Sequence, residues 1–362
     1  MRRILLPALL LTARFVGAQD VGARIGPQFI SYSLGAPSSE KISELAIPLF
    51  VFIPVTNTLT LDIGTAFASA RVTGTSAGQA TESKISGLTD TQIRATVNLG
   101  SDLVLLTAGV NVPTGRSTVK PAEQAAAGLI GNDFLVFPIS SMGSGFGGTG
   151  GIAVAHPFGD WNLGAGFSVR HSMPFDPYQN AAGTNLRYAP GDETRARIGV
   201  DHPYGTGRAS LGLTYSKFGD DQLATSIYNT GDRLLAQGYV TSAMGRGDYV
   251  VSAWNLFRAS GTQFDGSASG KENISDVSAS YGLPVGGARL EPGLDVRTWI
   301  QSGQALSLQS TLSLRYEQPM GAVTVSPGAG FTFGKLAAPG AAGANTTESL
   351  SGFRAQLTIR TR

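Results

Sequence analysis

From Leu103 the chain reads Leu-Val-Leu-Leu-Thr-Ala-Gly-Val-Asn-Val, and the run stops at Pro113-Thr114-Gly115-Arg116-Ser117. Val104, Leu106, Ala108, Val110 and Val112 fall on one face of a strand of period two, and Thr107, Gly109 and Asn111 on the other. The pattern recurs along the chain. Leu59, Leu61, Ile63 and Phe67 alternate with Thr58, Thr60, Asp62 and Gly64. Ile93, Ala95, Val97 and Leu99 do so with Gln92, Arg94, Thr96 and Asn98. Similar series start at Trp161, Ala196, Leu306 and Phe353. Several run for about ten residues, the length a tilted strand needs to cross a hydrocarbon core. Tyr215, Tyr281, Tyr316, Phe331 and Phe333 recur near strand ends, where a barrel carries its interfacial aromatics.

The connections alternate in length. Seven are short and punctuated by Pro, Gly, Asn or Asp: Pro-Val-Thr-Asn-Thr, Gly-Ser-Asp, His-Pro-Phe-Gly-Asp, His-Pro-Tyr-Gly-Thr-Gly, Ala-Met-Gly-Arg-Gly-Asp, Leu-Pro-Val-Gly-Gly and Gln-Pro-Met-Gly-Ala. Between them, links near 35–41, 73–87, 114–145, 171–191, 219–227, 259–271, 299–304 and 335–348 read as loops rich in Gly, Ser, Ala and Asn. Short turns on one rim and long loops on the other predict an all-β chain folded as a transmembrane antiparallel up-and-down β-barrel. The short turns imply fourteen strands. A first strand near 23–34 and a last near 349–360 make about sixteen, or fourteen without the weak first strand and the glycine-rich run 146–156.

The amino terminus adds an address. Arg2 and Arg3, an apolar run from Ile4 to Ala13 and the small-residue site Val16-Gly17-Ala18 read as a signal peptide over residues 1–18, leaving 19–362 as one barrel domain in the outer membrane. Removing Arg2, Arg3 and Arg14 turns the formal charge of +2 into −1, so the charge balance gives no reason to expect nucleic acid as a partner. Without cysteine there is no disulfide framework and no thiolate ligand. The 48 glycines argue against a helical enzyme, since glycine is disfavoured inside helices.

Little in the sequence suggests catalysis. His156 and His202 each precede proline in a short turn, and His171 stands beside Ser172, but adjacent residues of a strand point to opposite faces. No metal-ligand spacing and no cofactor motif stand out. The polar face instead offers Asp62, Arg94, Asn111, Arg195, Arg197, Arg297, Arg315 and Arg354 as lumen lining. They form either a balanced network filling the barrel or a basic constriction that selects anions.

Two segments break the alternation. Leu45 to Val55 is apolar on both faces, which turns Phe50 and Phe52 inward. Ala125 to Ser140 puts Leu129, Ile130, Phe134 and Phe137 inside the longest loop. Exposed apolar surface of this kind marks a ligand route, unless the loop folds inward and packs the lumen as a plug.

The segment from Ser86 to Ser117, with Gly87-Leu88-Thr89-Asp90 at a strand start and Pro113-Thr114-Gly115 after the following hairpin, resembles the outer-membrane transporter family associated with meta-pathway phenol degradation. That family belongs with the FadL-like channels. The resemblance implies a monomer that passes hydrophobic or aromatic small molecules by passive diffusion, with its outer loops collecting them. The expected partners are outer-membrane lipid, the barrel-assembly machinery and a hydrophobic small-molecule ligand. A general porin for small polar solutes and a plugged structural or adhesin barrel are the alternatives.

Overall fold

The computed structural model describes residues 21–36, 38–76, 79–100, 103–338 and 346–361. The expected signal peptide lies outside them. Sixteen antiparallel strands close into one barrel. The first is built in two pieces, Gly22–Ile25 and Gln28–Leu34. Lys41–Pro54 and Leu59–Ser76 follow, and the fourth is again double, Gln79–Leu88 and Thr91–Leu99. Next come Val104–Val112, Gly147–Phe158, Trp161–Ser172, Glu193–Tyr204 and Gly207–Phe218. The remaining seven are Arg233–Met244, Gly247–Arg258, Glu272–Val285, Ala288–Gln301, Ser307–Met320, Val323–Ala338 and Thr346–Thr361. The last pairs with the first, from Leu34↔Leu350 down to Arg24↔Arg360, so the main sheet has no open edge.

Both interruptions have local causes. Pro27 has no backbone N–H to give the ladder, and around it Gly26 donates to Pro48 O at 3.1 Å. In the fourth strand, Phe67↔Leu88 and Gly64↔Gln92 leave one extra residue on the Leu88–Gln92 side, a β-bulge at Thr89-Asp90. Above the bulge, Ser83, Ile85 and Gly87 share the inner face, and below it Gln92, Arg94 and Thr96 do.

The face toward the lumen is identified by its ion pairs, among them Asp62–Arg94, Asp276–Arg297 and Glu291–Arg315. Register then carries the assignment around the wall: Arg94 lies opposite Gly109, Gly109 opposite Thr149, and Thr149 opposite Arg170. Thr107, Gly109 and Asn111 thus face inward, and Leu106, Val110, Val154, Phe167, Ile198, Leu211, Leu294, Leu312 and Phe331 outward, all exposed. In water this belt would be a large apolar patch; against hydrocarbon it is the matching surface. Among the described residues no helix is long and apolar enough to cross a membrane.

Five of the short turns are two-residue hairpins that begin with glycine: Gly159, Gly205, Gly245, Gly286 and Gly321, with φ between 50° and 61°. Their second positions do not have positive φ, the signature of the type II′ turn that suits twisted strands. Three expected loops are shorter than the sequence implied. Residues 73–76 and 79–87 belong to the two arms of a hairpin, paired from Thr73↔Glu82 to Ser76↔Gln79, and strands extend into 299–304 and 335–348. Outside the barrel, Phe175–Gln179, Asn185–Ala189, Asp221–Leu223 and Ser226–Tyr228 form a separate four-stranded sheet from segments that read as loop.

The turn glycines give a clean test. Gly286→Ala is expected to cost about 1–2 kcal/mol through the backbone alone, because nothing crowds the site. Gly150→Ala, in an equally open site with ordinary backbone, is the control and should cost nothing. Denaturant midpoints of the detergent-folded barrel decide it, and equal midpoints would refute the turn assignment.

Candidate functional site

The lumen is shaped by the loop 113–146, which leaves the strand Val104–Val112 and folds into the barrel. Its root is the bulge. Asp90, re-aimed by the extra residue, accepts from Gly115 N at 3.1 Å, Ser144 N at 2.7 Å and Asn111 Nδ2 at 2.8 Å. One carboxylate thus holds the outgoing and the returning arm of the loop together. Gly115 has no room for a side chain, since a Cβ would run into the backbone of Met142, Thr89 and Asp90. The two motifs that carry the family resemblance, Gly87-Leu88-Thr89-Asp90 and Pro113-Thr114-Gly115, are therefore the two halves of this root.

Beyond the root, Glu123 accepts from Arg116 at 2.7 Å and from Lys120 N at 2.9 Å, closing a turn that leads into the short helix Gln124–Ile130. Ser83 on the wall donates to Ala122 O at 2.7 Å and accepts from Ala126 N at 3.2 Å. The apolar side of the loop then covers an apolar patch of the inner wall made by Ile30, Tyr32, Ile42, Ala46, Ala70, Val72 and Ile85. Ile130, Phe134 and Phe137 are 1%, 0% and 6% exposed, and Leu129 is half-buried beside them. These four were expected to line a hydrophobic route. They form the core of an inward plug instead, because the wall facing them is apolar and burial removes both surfaces from water.

The loop also reaches the opposite wall. Phe134 stacks on Trp299 with ring centroids 5.8 Å apart, and its carbonyl accepts from Arg297 at 3.1 Å and Gln309 at 3.3 Å. Asp133 pairs with Arg258 at 2.8 Å, Tyr32 donates to Leu135 O at 2.9 Å, and Ile139 N donates to Glu44 at 3.0 Å. Arg297 faces the lumen but is buried under the loop, paired with Asp276 at 2.7 Å and lying over Trp254. It is an anchor for the plug, not a hydrated lining residue. Outside, Val119 bridges to the external sheet through Pro177 O at 2.8 Å and Gln179 N at 3.0 Å. In that sheet burial and the neighbouring Asp221 hold the Tyr188 phenol well above its usual range, so it stays a donor to Asp221 at 3.0 Å.

The remaining predicted residues lie apart from the plug interface. Asp62 and Arg94 pair at 2.7 Å near the short-turn rim, Arg195 pairs with Glu193 at 2.6 Å, and Arg315 with Glu291 at 2.7 Å. Asn111 is occupied at the root, and Arg197 lies beside Gly212. Arg354 shares a cavity with Arg315 and Glu291. Phe50 and Phe52 share the inner face with Asp62, opposite Gly64 and Asp62 respectively. Free space follows the uncovered wall. A cavity of about 310 Å³ is lined by Arg94, Asn111, Thr149, Arg170, Glu193 and Arg195. Another of about 590 Å³ is lined on the inner face by Leu105, Arg197, Asp201, Gln237, Tyr239 and Trp254, among others. Asp90 and Arg170 were missed from sequence. A switch of inward parity between Gly87 and Gln92 was the available signal for the first.

His171 pairs with Asp192 at 2.6 Å, while Ser172 belongs to the opposite face of its strand. Among the described residues no cluster of three or more His, Cys, Asp or Glu is placed to hold a metal.

The whole is a membrane-spanning antiparallel barrel with an inward loop. No protein-family model matches the sequence, and neither does any characterised protein. Solved structures that it resembles are outer-membrane barrels. OprB of Pseudomonas putida aligns at 11% identity and TM-score 0.49, covering 94% of this chain and 92% of that one. An anion-selective porin from Comamonas acidovorans aligns at 14% and 0.41, covering 94% and 99%. An outer-membrane channel from Pseudomonas putida F1 aligns at 13% and 0.38, covering 95% and 96%.

The root makes a prediction. In Asp90→Ala the loop loses the backbone hydrogen bonds of Gly115 and Ser144 to the carboxylate, Asn111 in the adjoining strand loses a third, and trypsin should cut after Arg116 at least about tenfold faster than in the parent. Asp90→Asn should fall between the two. An unchanged cleavage rate would mean that the plug is held without its root.

Proposed function

We propose that the protein is a passive outer-membrane channel for small solutes, which move along the polar wall that the inward loop leaves uncovered. The observation that carries this reading is the division of the lumen. One wall is apolar and covered by the plug, and the other, from Gln92 to Asp201, faces free space with mostly polar or small residues, Arg, Asn, Thr, Ser and Gly with Glu193 and Asp201, interrupted by Leu105 and two alanines. A protein built only as a sealed scaffold needs no such polar channel beside its plug. The apolar outer belt and the signal-peptide-like amino terminus support the outer membrane as its site, reached with the help of the barrel-assembly machinery, and a monomer suffices for the path.

A second reading is uptake of hydrophobic or aromatic molecules of the FadL-like kind. Phe50 and Phe52 favour it, since their rings stand in the lumen 52% and 45% exposed. The burial of Ile130, Phe134 and Phe137 weighs against a continuous apolar route.

In the smaller cavity Arg94 is paired with Asp62 and Arg195 with Glu193, and no ion pair engages Arg170 among the described residues, which leaves that wall one positive charge in excess. The path should therefore favour anions. Planar-bilayer recording under a potassium chloride gradient should give a steady conductance and a reversal potential on the chloride side, shifted toward potassium by Arg170→Glu. Removal of residues 124–137 should raise the conductance severalfold. Absence of current from correctly folded protein would overturn the channel reading, and a cation preference would overturn the selectivity.

A further inference from the structure

At the short-turn mouth of the lumen, aromatic and cationic groups converge in a way that a plain diffusion path does not need. Arg24 lies directly opposite Phe50 on one side and Arg360 on the other, and Phe52, two residues along from Phe50, lies opposite Asp62. All share the inner face, and they enclose a cavity of about 520 Å³, within the size range of small-molecule sites.

The charges do not cancel there. Asp62 is taken by Arg94 at 2.7 Å, and Glu317 by Arg360 at 3.1 Å. Arg24 makes no ion pair among the described residues, although it sits beside a second guanidinium in the ladder. Like charges directly opposite in a sheet repel, so the arrangement is improved by an anion bound between them.

The rings are prepared in a similar way. Gly64 opposite Phe50 gives that ring a flat bed, with Cδ1 and Cε1 about 3.0 Å from where a Cβ would stand. Covering a strand glycine with an aromatic is a known way to stabilise a sheet, and it accounts for that contact. It does not account for a second ring at Phe52, for the exposure of both, or for the uncompensated Arg24 beside them.

We propose that this mouth is a binding site for small organic anions that carry an aromatic ring. The ring packs against Phe50 and Phe52, and the carboxylate bridges Arg24 and Arg360 through charge-assisted hydrogen bonds. The inference deepens the channel reading and rests on it only for how such a molecule arrives.

Equilibrium binding tests it without any current being measured. The full mature chain in detergent micelles is titrated calorimetrically with benzoate, acetate and benzyl alcohol. Benzoate should bind at least about tenfold tighter than either fragment, because it alone offers both groups. In Arg24→Gln the preference for benzoate over benzyl alcohol should disappear, and in Phe50→Leu the preference for benzoate over acetate should shrink severalfold. Both variants should keep the parent's heat-modifiable mobility on gels, which reports a closed barrel. Benzoate binding no tighter than that of the fragments, or unchanged in both folded variants, would overturn the proposal. A protein that binds benzoate as described but carries no current keeps the site and loses the channel reading.

Discussion

Hydrocarbon offers no hydrogen-bond partner, and every other feature of this protein depends on that constraint. A backbone that crosses lipid by strands must satisfy its N–H and C=O groups between strands, and only a closed sheet leaves none over. Closure joins Gln28–Leu34 to Thr346–Thr361 across almost the full length of the chain. It also fixes two surfaces of opposite chemistry on each strand, because the side-chain period is two. The short alternating run around Thr107 and Val110 is the smallest expression of this rule.

Within that wall the lumen is not uniform. Its apolar patch around Ile42, Ala70 and Ile85 would be wasted against water, and the loop 113–146 covers it. The single extra residue at Thr89-Asp90 makes this geometry workable, since it swaps the inward parity of the fourth strand and aims a carboxylate at both arms of the loop. The buried Asp276–Arg297 pair plays the matching part on the far side, where the guanidinium is spent on the pair and on the Phe134 carbonyl. A buried pair of this kind is a poor source of stability and a good fixer of position. What is left open is the polar side.

Much of this was legible in the sequence. Alternation gave the lumen and lipid faces of Val104–Val112, and the short Gly-containing links marked one rim and hence the strand count. Both depend on residues close together in the chain. The inward course of the loop depends on pairs such as Phe134 with Trp299 and Ile139 with Glu44, which no local pattern connects. For the same reason Leu129, Ile130, Phe134 and Phe137 looked like exposed apolar surface, since their cover comes from another part of the barrel. The small external sheet was missed because its strands are three to five residues long, too short for a period to show. Asp90 was visible as part of a motif, but its task was not, because a bulge is a statement about two strands at once.

The position of the loop's seat has a consequence for the order of assembly. The loop leaves the fifth strand, but its carbonyl at Phe134 is held by Arg297 and Gln309, 163 and 175 residues further on, and its apolar side shares one buried cluster with Leu350 of the last strand. That seat does not exist until the sheet has closed. The loop's near-wall contacts, to Ser83 and Glu44, lie on strands that precede it in the chain, whereas those to Arg297 and Gln309 need the far wall in place across the bore. The narrowing of the lumen at Phe134 thus depends on closure of the sheet as well as on the loop itself.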